Sequence, residues 1–298
     1  MTAITFAAMG TSWWIDCDRP HLLGEAEALV HTLEGRLSRF RGDSALTRLN
    51  RDRSATCPTL AAVTRVALRL RTATGWAFDP TLGAELAALG YDRSFEQLGH
   101  RTWSSPLQAR RSTTRVLVDG AYVRLDGPGQ LDLGGLAKGY AVDRVVGLLL
   151  GLGAGAVLVD GGGDIRGAGP SFAIGVGDGL VVETRAGAVA TSSTRSRRWR
   201  GADGRELHHI LDPRTGLPTR ASIDTATVIA PDAVTADALA TALLADPAAT
   251  LTRLGAFAAH ALVRAHDGGW WMSPGAPAAP GPTSLLSASA APVQEPTP

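Results

Sequence analysis

Apolar residues recur every three to four positions in several segments of the chain, which is the spacing that places them on one face of an α-helix. Leu22 to Leu37 and Thr59 to Thr74 follow this pattern, and Val234 to Asp246 follows it up to a stop at Pro247. A fourth apolar run, Ala137 to Leu150, comes directly after a glycine-rich turn. The pattern predicts four helices.

In other segments the period is two, which is typical of strands, and glycine turns join some of these segments into hairpins. The turns are Met9-Gly10-Thr11, Asp119-Gly120 and Asp178-Gly179. Because hairpins alternate with helices and repeated βαβ units are lacking, the fold class predicted is α+β, with mixed, largely antiparallel sheets and flanking helices. The predicted strands are Ile4 to Ala8, Ser12 to Cys17, residues 116–125, 156–159, 172–176, 180–186 and 188–193, Thr225 to Pro231, and Ala261 to Ala265.

Three segments are predicted to lack regular structure. The first, between the first two helices, is a loop with a cap at Asp43 or Ser44; it ends in Asn50, the chain's only asparagine, which either belongs to that loop or faces a ligand. The second, HHILDPRTGLPT, is an irregular loop that holds His209. The third, residues 274–298, is rich in Pro, Ala and Ser and is expected to be a disordered tail after a folded domain of residues 1–273.

Composition narrows the class of protein. The chain has 298 residues, a net charge of +1 and 45% hydrophobic residues, so a large buried core is expected and a nucleic-acid partner is not. Its two cysteines, Cys17 and Cys57, have no metal-binding spacing and predict a reducing compartment. No signal peptide or membrane span is recognised, so a cytoplasmic location is expected.

Glycines are concentrated between Leu131 and Gly169, where 12 of the chain's 35 lie. Two glycine turns flank one helix and one strand, and such turns let a ligand approach the backbone and leave free N–H donors for phosphate. Lys138, at the start of the helix, is the only lysine in a chain that otherwise uses arginine. A compact ammonium beside a glycine turn favours a binding site, although chance placement of a single lysine is the alternative.

Asp237 and Thr241 stand four residues apart on the last predicted helix and therefore share a face. Their oxygens suit Mg²⁺, which keeps positions for water and substrate phosphates. Asp237 could instead complement the helix dipole, with Thr241 in the core. An Asp-Pro corner likewise gives Asp79 either an ordinary turn role or a fixed position beside a site.

Two common nucleotide-binding motifs are excluded. Gly151, Gly153 and Ala156 match the loose spacing of a dinucleotide fingerprint, but they follow a helix and precede a strand, which is the reverse of the order that fingerprint needs. No Gly-Lys dipeptide occurs, so a Walker A motif is absent. Phosphate binding by another architecture remains open.

Several long motifs occur in one order from Met9 to about Leu243, and together they resemble the FAD:protein FMN transferase (ApbE) family. They are MGT, SRFRGDSALTRLN, FDPTLG, DLGGLAKGYAVDR, GGDIRG, HILDPRTG and TADALATA. The resemblance implies a compact ApbE-like, T-fold-related body with the flavin in a cleft. It also implies a magnesium-dependent reaction that splits FAD, releases AMP and joins FMN through a phosphoester to a Thr or Ser of a target flavoprotein.

The resemblance implies roles for residues that match its motifs. Asp237 and Thr241 would bind Mg²⁺ through their side chains, and Gly135 through its carbonyl. His209 would be the general base, with His208 structural. The FAD pocket would be formed by Met9, Asp79, Lys138, Gly162, Gly163, Asp164 and His209.

This chain departs from the family pattern on the acceptor side. Where ATSG and an aromatic residue are common, it has ATSSTRSRRW, with Ser193 and Thr194 in place of a small turn. Many members are lipoproteins with a leader cysteine, which is not seen here. Two alternative functions stay open: an FAD pyrophosphatase that yields FMN and AMP, and a non-catalytic FAD-binding protein.

Overall fold

The computed structural model describes residues 2–98, 113–177, 179–201 and 204–280. These residues form two short 3-10 helices, Pro20–Leu22 and Leu254–Phe257. They also form eight α-helices: α1 (Leu23–Leu37), α2 (Ala45–Asp52), α3 (Pro58–Ala73), α4 (Gly83–Ala88), α5 (Phe95–Leu98), α6 (Ala137–Gly151), α7 (Ala233–Ala245) and α8 (Pro247–Leu251). The four helices predicted from periodicity are therefore confirmed as α1, α3, α6 and α7.

The strands are short in the peripheral sheets and long at the centre. They are β1 (Thr2–Ala8), β2 (Thr11–Cys17), β3 (Ser54–Thr56), β4 (Arg115–Asp119), β5 (Tyr122–Asp126), β6 (Val157–Asp160), β7 (Asp164–Gly175), β8 (Leu180–Ser193), β9 (Arg198–Arg200), β10 (Glu206–His208), β11 (Leu211–Asp212), β12 (Leu217–Pro218), β13 (Ile223–Ala230), β14 (His260–Ala265), β15 (Trp270–Met272) and β16 (Ala278–Pro280).

One large sheet organises the described part of the chain. Its strands lie in the order β1-β2-β6-β7-β8-β13-β14-β15, each antiparallel to its neighbours, and β16 adds to β8. A second sheet, β3-β5-β4, lies beside α2 and α3. The predicted α+β class with largely antiparallel sheets is confirmed.

The helix α7 lies in the main core, where it packs against α6, β8 and β13. Ten of its residues are buried, and it is apolar around nearly its whole circumference, as expected for a helix covered on all sides. Gly139 of α6 permits this packing, because a Cβ there would overlap the carbonyl of Ala233. The close contact fixes the first turn of α7 against the first turns of α6.

Some predicted elements need correction. The polar segment before Asn50 is not a loop throughout: it contains α2, whose apolar face is too short to be detected by periodicity, and Ser44 caps it by accepting from Thr47 N at 2.9 Å. Residues 180–186 and 188–193 form one strand, β8, because Gly187 continues the strand. The irregular loop around His209 contains parts of the short strands β10, β11 and β12.

The C-terminal boundary of the fold also differs from the prediction. Residues 274–280 were expected to belong to a disordered tail, but Ala278–Pro280 pairs with the start of β8. The remainder of that predicted tail lies outside the described residues, as does Asp178 of one predicted turn. In the part of the chain that the structure describes, no helix is both long and apolar enough to cross a bilayer.

Candidate active site

A cleft of about 570 Å³ opens where the glycine turns meet α7. The β1–β2 turn, the end of α1, the segment before α4, the end of β8 and the segment after β10 supply its other walls. Eight of the ten predicted site residues line it, although they come from distant parts of the sequence: Met9, Asp79, Gly135, Lys138, Gly162, His209, Asp237 and Thr241. The fold therefore brings most of the predicted site together.

The other two predicted residues, Gly163 and Asp164, lie behind the wall of the cleft. The N–H of Gly163 donates to Asp160 Oδ1 at 2.8 Å, and its carbonyl accepts from Thr191 N at 3.1 Å. Asp164 is 1% exposed and reaches the cleft only through its ion pair with Lys138. These two residues shape the wall without forming its surface.

Lys138, Asp164 and Asp237 form a buried charge cluster. Lys138 Nζ donates to Asp164 Oδ2 and lies 4.0 Å from Asp237 Oδ2. Burial alone would lower the pKa of Lys138, but the two carboxylates outweigh it and the pKa lies above its usual value. Burial raises the pKa of Asp164 to about 8, and the charge of Asp237 adds to the rise. Two carboxylates thus surround one ammonium at the start of a helix. This arrangement is typical of a ligand or metal site and is not needed to stabilise the helix.

Asp237 does not complement the dipole of α7. Two other carboxylates do so: Asp232 accepts from Thr235 N at 2.8 Å, and Asp143 accepts from Ala233 N and Val234 N at 2.9 Å each. Asp237 is 3% exposed, lies beyond the first turn, and accepts a 3.2 Å hydrogen bond from the N–H of Gly139. Asp237 shares the single ammonium of Lys138 with Asp164, so the two buried carboxylates are not fully compensated, and the cleft leaves room for a further cation.

Two of the predicted metal ligands, Gly135 and Thr241, lie next to each other at the cleft. A Cβ added to Gly135 would meet Thr241 Oγ1 at 2.9 Å, so the turn and the hydroxyl border the same small volume at the cleft. In the described ranges no group of three or more His, Cys, Asp or Glu side chains is arranged for a metal. A set with one carboxylate, one hydroxyl and one carbonyl is compatible with that finding and with magnesium, which retains water and substrate ligands.

His209 lies half-buried at the cleft, with its ring edge-on to Tyr91 at 6.5 Å between centroids. Burial lowers its pKa to about 3, with the positive charge of Arg197 the next cause. The Nδ1 atoms of His209 and His208 both lack a hydrogen-bond partner among the described residues, and His208 Nε2 lies 3.2 Å from the carbonyl of Thr219. The low pKa keeps His209 a neutral imidazole at the cleft, whereas His208 is not among the residues that line it.

Asp79 and Asn50 are occupied by structural contacts. The carboxylate of Asp79 lies 3.1 Å from Arg71 and accepts from the N–H and hydroxyl of Thr81, so its oxygens are not free for a ligand. The amide of Asn50 donates to Leu131 O at 2.8 Å and accepts from Leu131 N at 2.7 Å. Asn50 thus holds the segment that leads into the first glycine turn, and no ligand-facing role is needed to explain it.

Several cleft residues were not predicted from the sequence. Arg39 pairs with Asp132 at 2.5 Å, and its guanidinium lies over the rings of Phe40 and Tyr91 at 4.2 and 4.6 Å. Arg197 lines the cleft from the turn between β8 and β9. Arg39, Phe40 and Asp132 lie in the quoted motifs SRFRGDSALTRLN and DLGGLAKGYAVDR, which was a usable signal; the turn that carries Arg197 offered only a run of arginines.

The turn that departs from the family pattern is held by its own side chains. Ser193 Oγ donates to Asp224 O at 2.9 Å and accepts from Arg195 N at 3.1 Å. Thr194 is buried, and its N–H donates to Asp224 O at 2.9 Å. Ser193 and Thr194 thus tie this turn to the backbone of Asp224 beside the cleft.

The chain is similar in sequence to known FAD:protein FMN transferases. The chain is 33% identical over 254 residues to the FAD:protein FMN transferase of Treponema pallidum, which covers 74% of this chain and 70% of that protein. It is 27% identical over 313 residues to the FAD:protein FMN transferase of Escherichia coli K12, with 92% and 88% of the two chains covered.

Solved structures share the fold. The ApbE protein of Thermotoga maritima superposes with a TM-score of 0.80 at 28% identity, covering 92% of this chain and 97% of that one. The flavin transferase ApbE of Vibrio cholerae gives 0.73 at 27% identity, with 91% and 96% covered. The sequence model of the ApbE family matches residues 9–260, and the chain therefore belongs to the ApbE family.

Proposed function

We propose that this chain is a magnesium-dependent FAD:protein FMN transferase, which cleaves the pyrophosphate of FAD, releases AMP and attaches FMN by a phosphoester bond to a Thr or Ser of a target flavoprotein. The observation that carries the proposal is the buried carboxylate of Asp237, which faces the cleft beside Lys138 and Thr241 on a helix that is otherwise apolar. The names of the relatives support the flavin-transfer part.

The metal would be held by the carboxylate of Asp237, the hydroxyl of Thr241 and the carbonyl of Gly135. When bound, Mg²⁺ would neutralise charge on the pyrophosphate and on the departing AMP. Asp143 fixes α7 against α6 and thereby keeps Asp237 and Thr241 facing the glycine turn. The ammonium of Lys138 adds a positive charge at the same place.

The FAD pocket would be walled by Met9, Gly162 and Lys138, with Gly163 and Asp164 supporting them from behind. Asp79 contributes the position of its turn, since its carboxylate is engaged by Arg71 and Thr81. Gly162 has a φ of +77°, and a Cβ there would overlap Thr11, so only glycine gives this wall its shape.

His209 is proposed as the general base. The acceptor hydroxyl would transfer its proton to the imidazole as its oxygen bonds to the FMN phosphorus, and the electron pair of the broken P–O bond would leave with AMP. A pKa of about 3 makes the imidazole neutral and able to accept, although it is a weak base. A pyrophosphate bound nearby would raise that pKa, because negative charge favours the imidazolium.

Transfer can be separated from hydrolysis by the fate of the flavin. Purified protein is incubated with FAD and Mg²⁺, with and without a protein extract of the source cells; AMP is measured by chromatography and protein-bound flavin by fluorescence in a denaturing gel. Transfer gives a fluorescent protein band that depends on enzyme, FAD and Mg²⁺ together. AMP and free FMN with no such band would instead establish a pyrophosphatase.

A flavin-binding protein without catalysis is distinguished by persistence of the cofactor. FAD that survives prolonged incubation with Mg²⁺ and extract would contradict both enzymatic functions. Action in the cytoplasm stays a prediction, which fractionation of the source cells would test.

A further inference from the structure

Arg197 occupies an unusual backbone position at the cleft. It lies between β8 and β9 with a φ of +51°, in the left-handed region that residues other than glycine, asparagine and aspartate rarely adopt. Its side chain is half-buried and lines the cleft. A strained, non-glycine residue that faces a cleft is typical of a functional position, because strain of this kind persists where the side chain is needed.

Arg197 is also the cleft cation that lacks an ion pair in the described ranges. Lys138 pairs with Asp164, Arg39 with Asp132, and Arg41 with Asp43, whereas no carboxylate of the described residues lies within 4.0 Å of the guanidinium of Arg197. Its charge is therefore available to an anion that enters the cleft.

Arg197 lines the same cleft as His209, Lys138 and Tyr91. Its positive charge adds to the lowering of the pKa of His209 that burial causes, and it opposes the rise in the pKa of Lys138 that Asp164 and Asp237 cause. The same charge opposes the rise that burial causes in the pKa of Tyr91. The guanidinium of Arg197 therefore contributes positive charge to the cleft that holds the imidazole, the ammonium and the phenol.

We propose that the guanidinium of Arg197 binds the phosphoryl group of FAD that is transferred, by donating to its non-bridging oxygens. This inference rests on the proposed function, in which His209 takes the proton of the attacking hydroxyl and therefore lies beside that phosphorus. A planar guanidinium can bind two phosphoryl oxygens at once. During transfer the bond from phosphorus to the acceptor oxygen forms, the bond to AMP breaks, and Arg197 remains protonated while it stabilises the oxygens.

The test compares flavins that differ only in phosphate. Riboflavin, FMN and FAD are titrated by fluorescence in excess EDTA, so that no metal contributes. Arg197→Gln is expected to weaken the binding of FMN and of FAD about 10- to 100-fold, because a charge-assisted hydrogen bond is lost. The affinity for riboflavin, which has no phosphate, should stay unchanged.

Two further variants control for folding and for charge. Arg195→Gln removes a neighbouring, half-exposed arginine whose guanidinium lies 3.9 Å from Asp224, and it should leave all three affinities unchanged. Arg197→Asn removes the charge, but asparagine suits the left-handed backbone. The variant should therefore raise the melting temperature while it weakens the binding of FMN and FAD.

The outcomes are distinct. A loss restricted to FMN and FAD, in variants that melt no lower than wild type, supports the proposal. Unchanged FMN affinity, or an equal loss for riboflavin, overturns it. Absence of FMN transfer by wild-type protein would remove the proposed function, and the phosphate-dependent loss would still be measurable.

Discussion

The carboxylate of Asp143 on α6 accepts a 2.9 Å hydrogen bond from the N–H of Val234, the second residue of α7. Its other oxygen accepts from Ala233 N at 2.9 Å and from Arg166 Nη1 at 2.6 Å. Burial raises the pKa of Asp143, and these donors oppose the rise. One side chain of the family motif thus fixes the helix that carries Asp237.

Asp143→Ala should therefore destabilise the fold by about 2–3 kcal/mol, because the N–H groups of α7 and the Arg166 guanidinium lose a buried partner. It should also raise the Mg²⁺ concentration for half-maximal AMP release, since Asp237 moves with α7. Asp232→Asn is the matched control: asparagine caps as well as aspartate, so both quantities should stay near wild type. Chemical denaturation and a Mg²⁺ series measure them, and a wild-type melting curve for Asp143→Ala would contradict the expectation.

Lys138→Arg should weaken FAD binding although it keeps the charge. The ammonium fits between Asp164 and Asp237 in a wall of the cleft, and a planar guanidinium is larger and needs a different arrangement of acceptors. The opposite exchange at an exposed cation of the cleft, Arg41→Lys, should leave affinity unchanged. Fluorescence titration with FAD compares them; equal affinities for wild type and Lys138→Arg would remove the argument from shape.

His209 should make stability depend on pH. Its folded pKa of about 3 lies below the usual value of about 6.5, so between these values the unfolded chain binds a proton that the folded chain does not. The stabilisation is thus complete above pH 6.5 and is lost as the pH falls from 6.5 to 3. His209→Gln should lose less stability than wild type over that window, whereas His31→Gln, on the exposed face of α1, should follow wild type. An equal loss of stability by wild type and by His209→Gln between the two ends of this pH window, measured from melting curves, would contradict the prediction.

The same variant tests catalysis. His209→Gln should lower FMN transfer by about 10²- to 10⁴-fold, the usual contribution of a general base, with little change in FAD affinity. Single-turnover AMP release measures the first quantity and fluorescence titration the second. Unchanged transfer would show that another group, or none, takes the proton.

The sequence predicts the main helices and hairpins because their apolar periodicity is also their pattern of burial. Helix α7 is an instructive case: its strong apolar run predicted the element, but the role of Asp237 depended on which groups cap the helix. Asp232 could be inferred locally, whereas Asp143 lies some ninety residues earlier and reaches α7 only through the packing at Gly139. Long-range contacts of this kind leave no local signal.

Some residues of the candidate site could likewise be identified from the sequence, and others only from the structure. Lys138 and Thr241 were identified from composition and helical spacing, and the cleft includes both. Arg197 was not identified, because its position depends on a left-handed backbone in a turn whose arginines look alike in sequence. The sequence predicted Asp79 at the cleft, but only the structure shows that its carboxylate forms an ion pair with Arg71.

The metal assignment gives the sharpest contrast between stability and activity. Asp237→Asn should abolish FMN transfer, because the proposed carboxylate ligand is lost. It should not reduce stability, since it removes one of two carboxylates that share Lys138, and the dipole of α7 is already satisfied by Asp232 and Asp143. If Asp237 only complemented the helix dipole, Asp237→Asn would instead lower the free energy of unfolding by about 0.3–1 kcal/mol and activity would be retained.

Thr241→Val tests the second ligand in the same helix. Valine keeps the shape of the side chain but removes the hydroxyl, so the Mg²⁺ concentration for half activity should rise while the melting temperature is kept. Thr235→Val, six residues earlier on α7 and half-buried, is the matched control and should leave the Mg²⁺ requirement unchanged. AMP release across a Mg²⁺ series, with binding of Mg²⁺ measured by calorimetry, gives both readouts. Wild-type behaviour of Asp237→Asn and Thr241→Val, or full activity of the wild-type protein in excess EDTA, would refute the metal site.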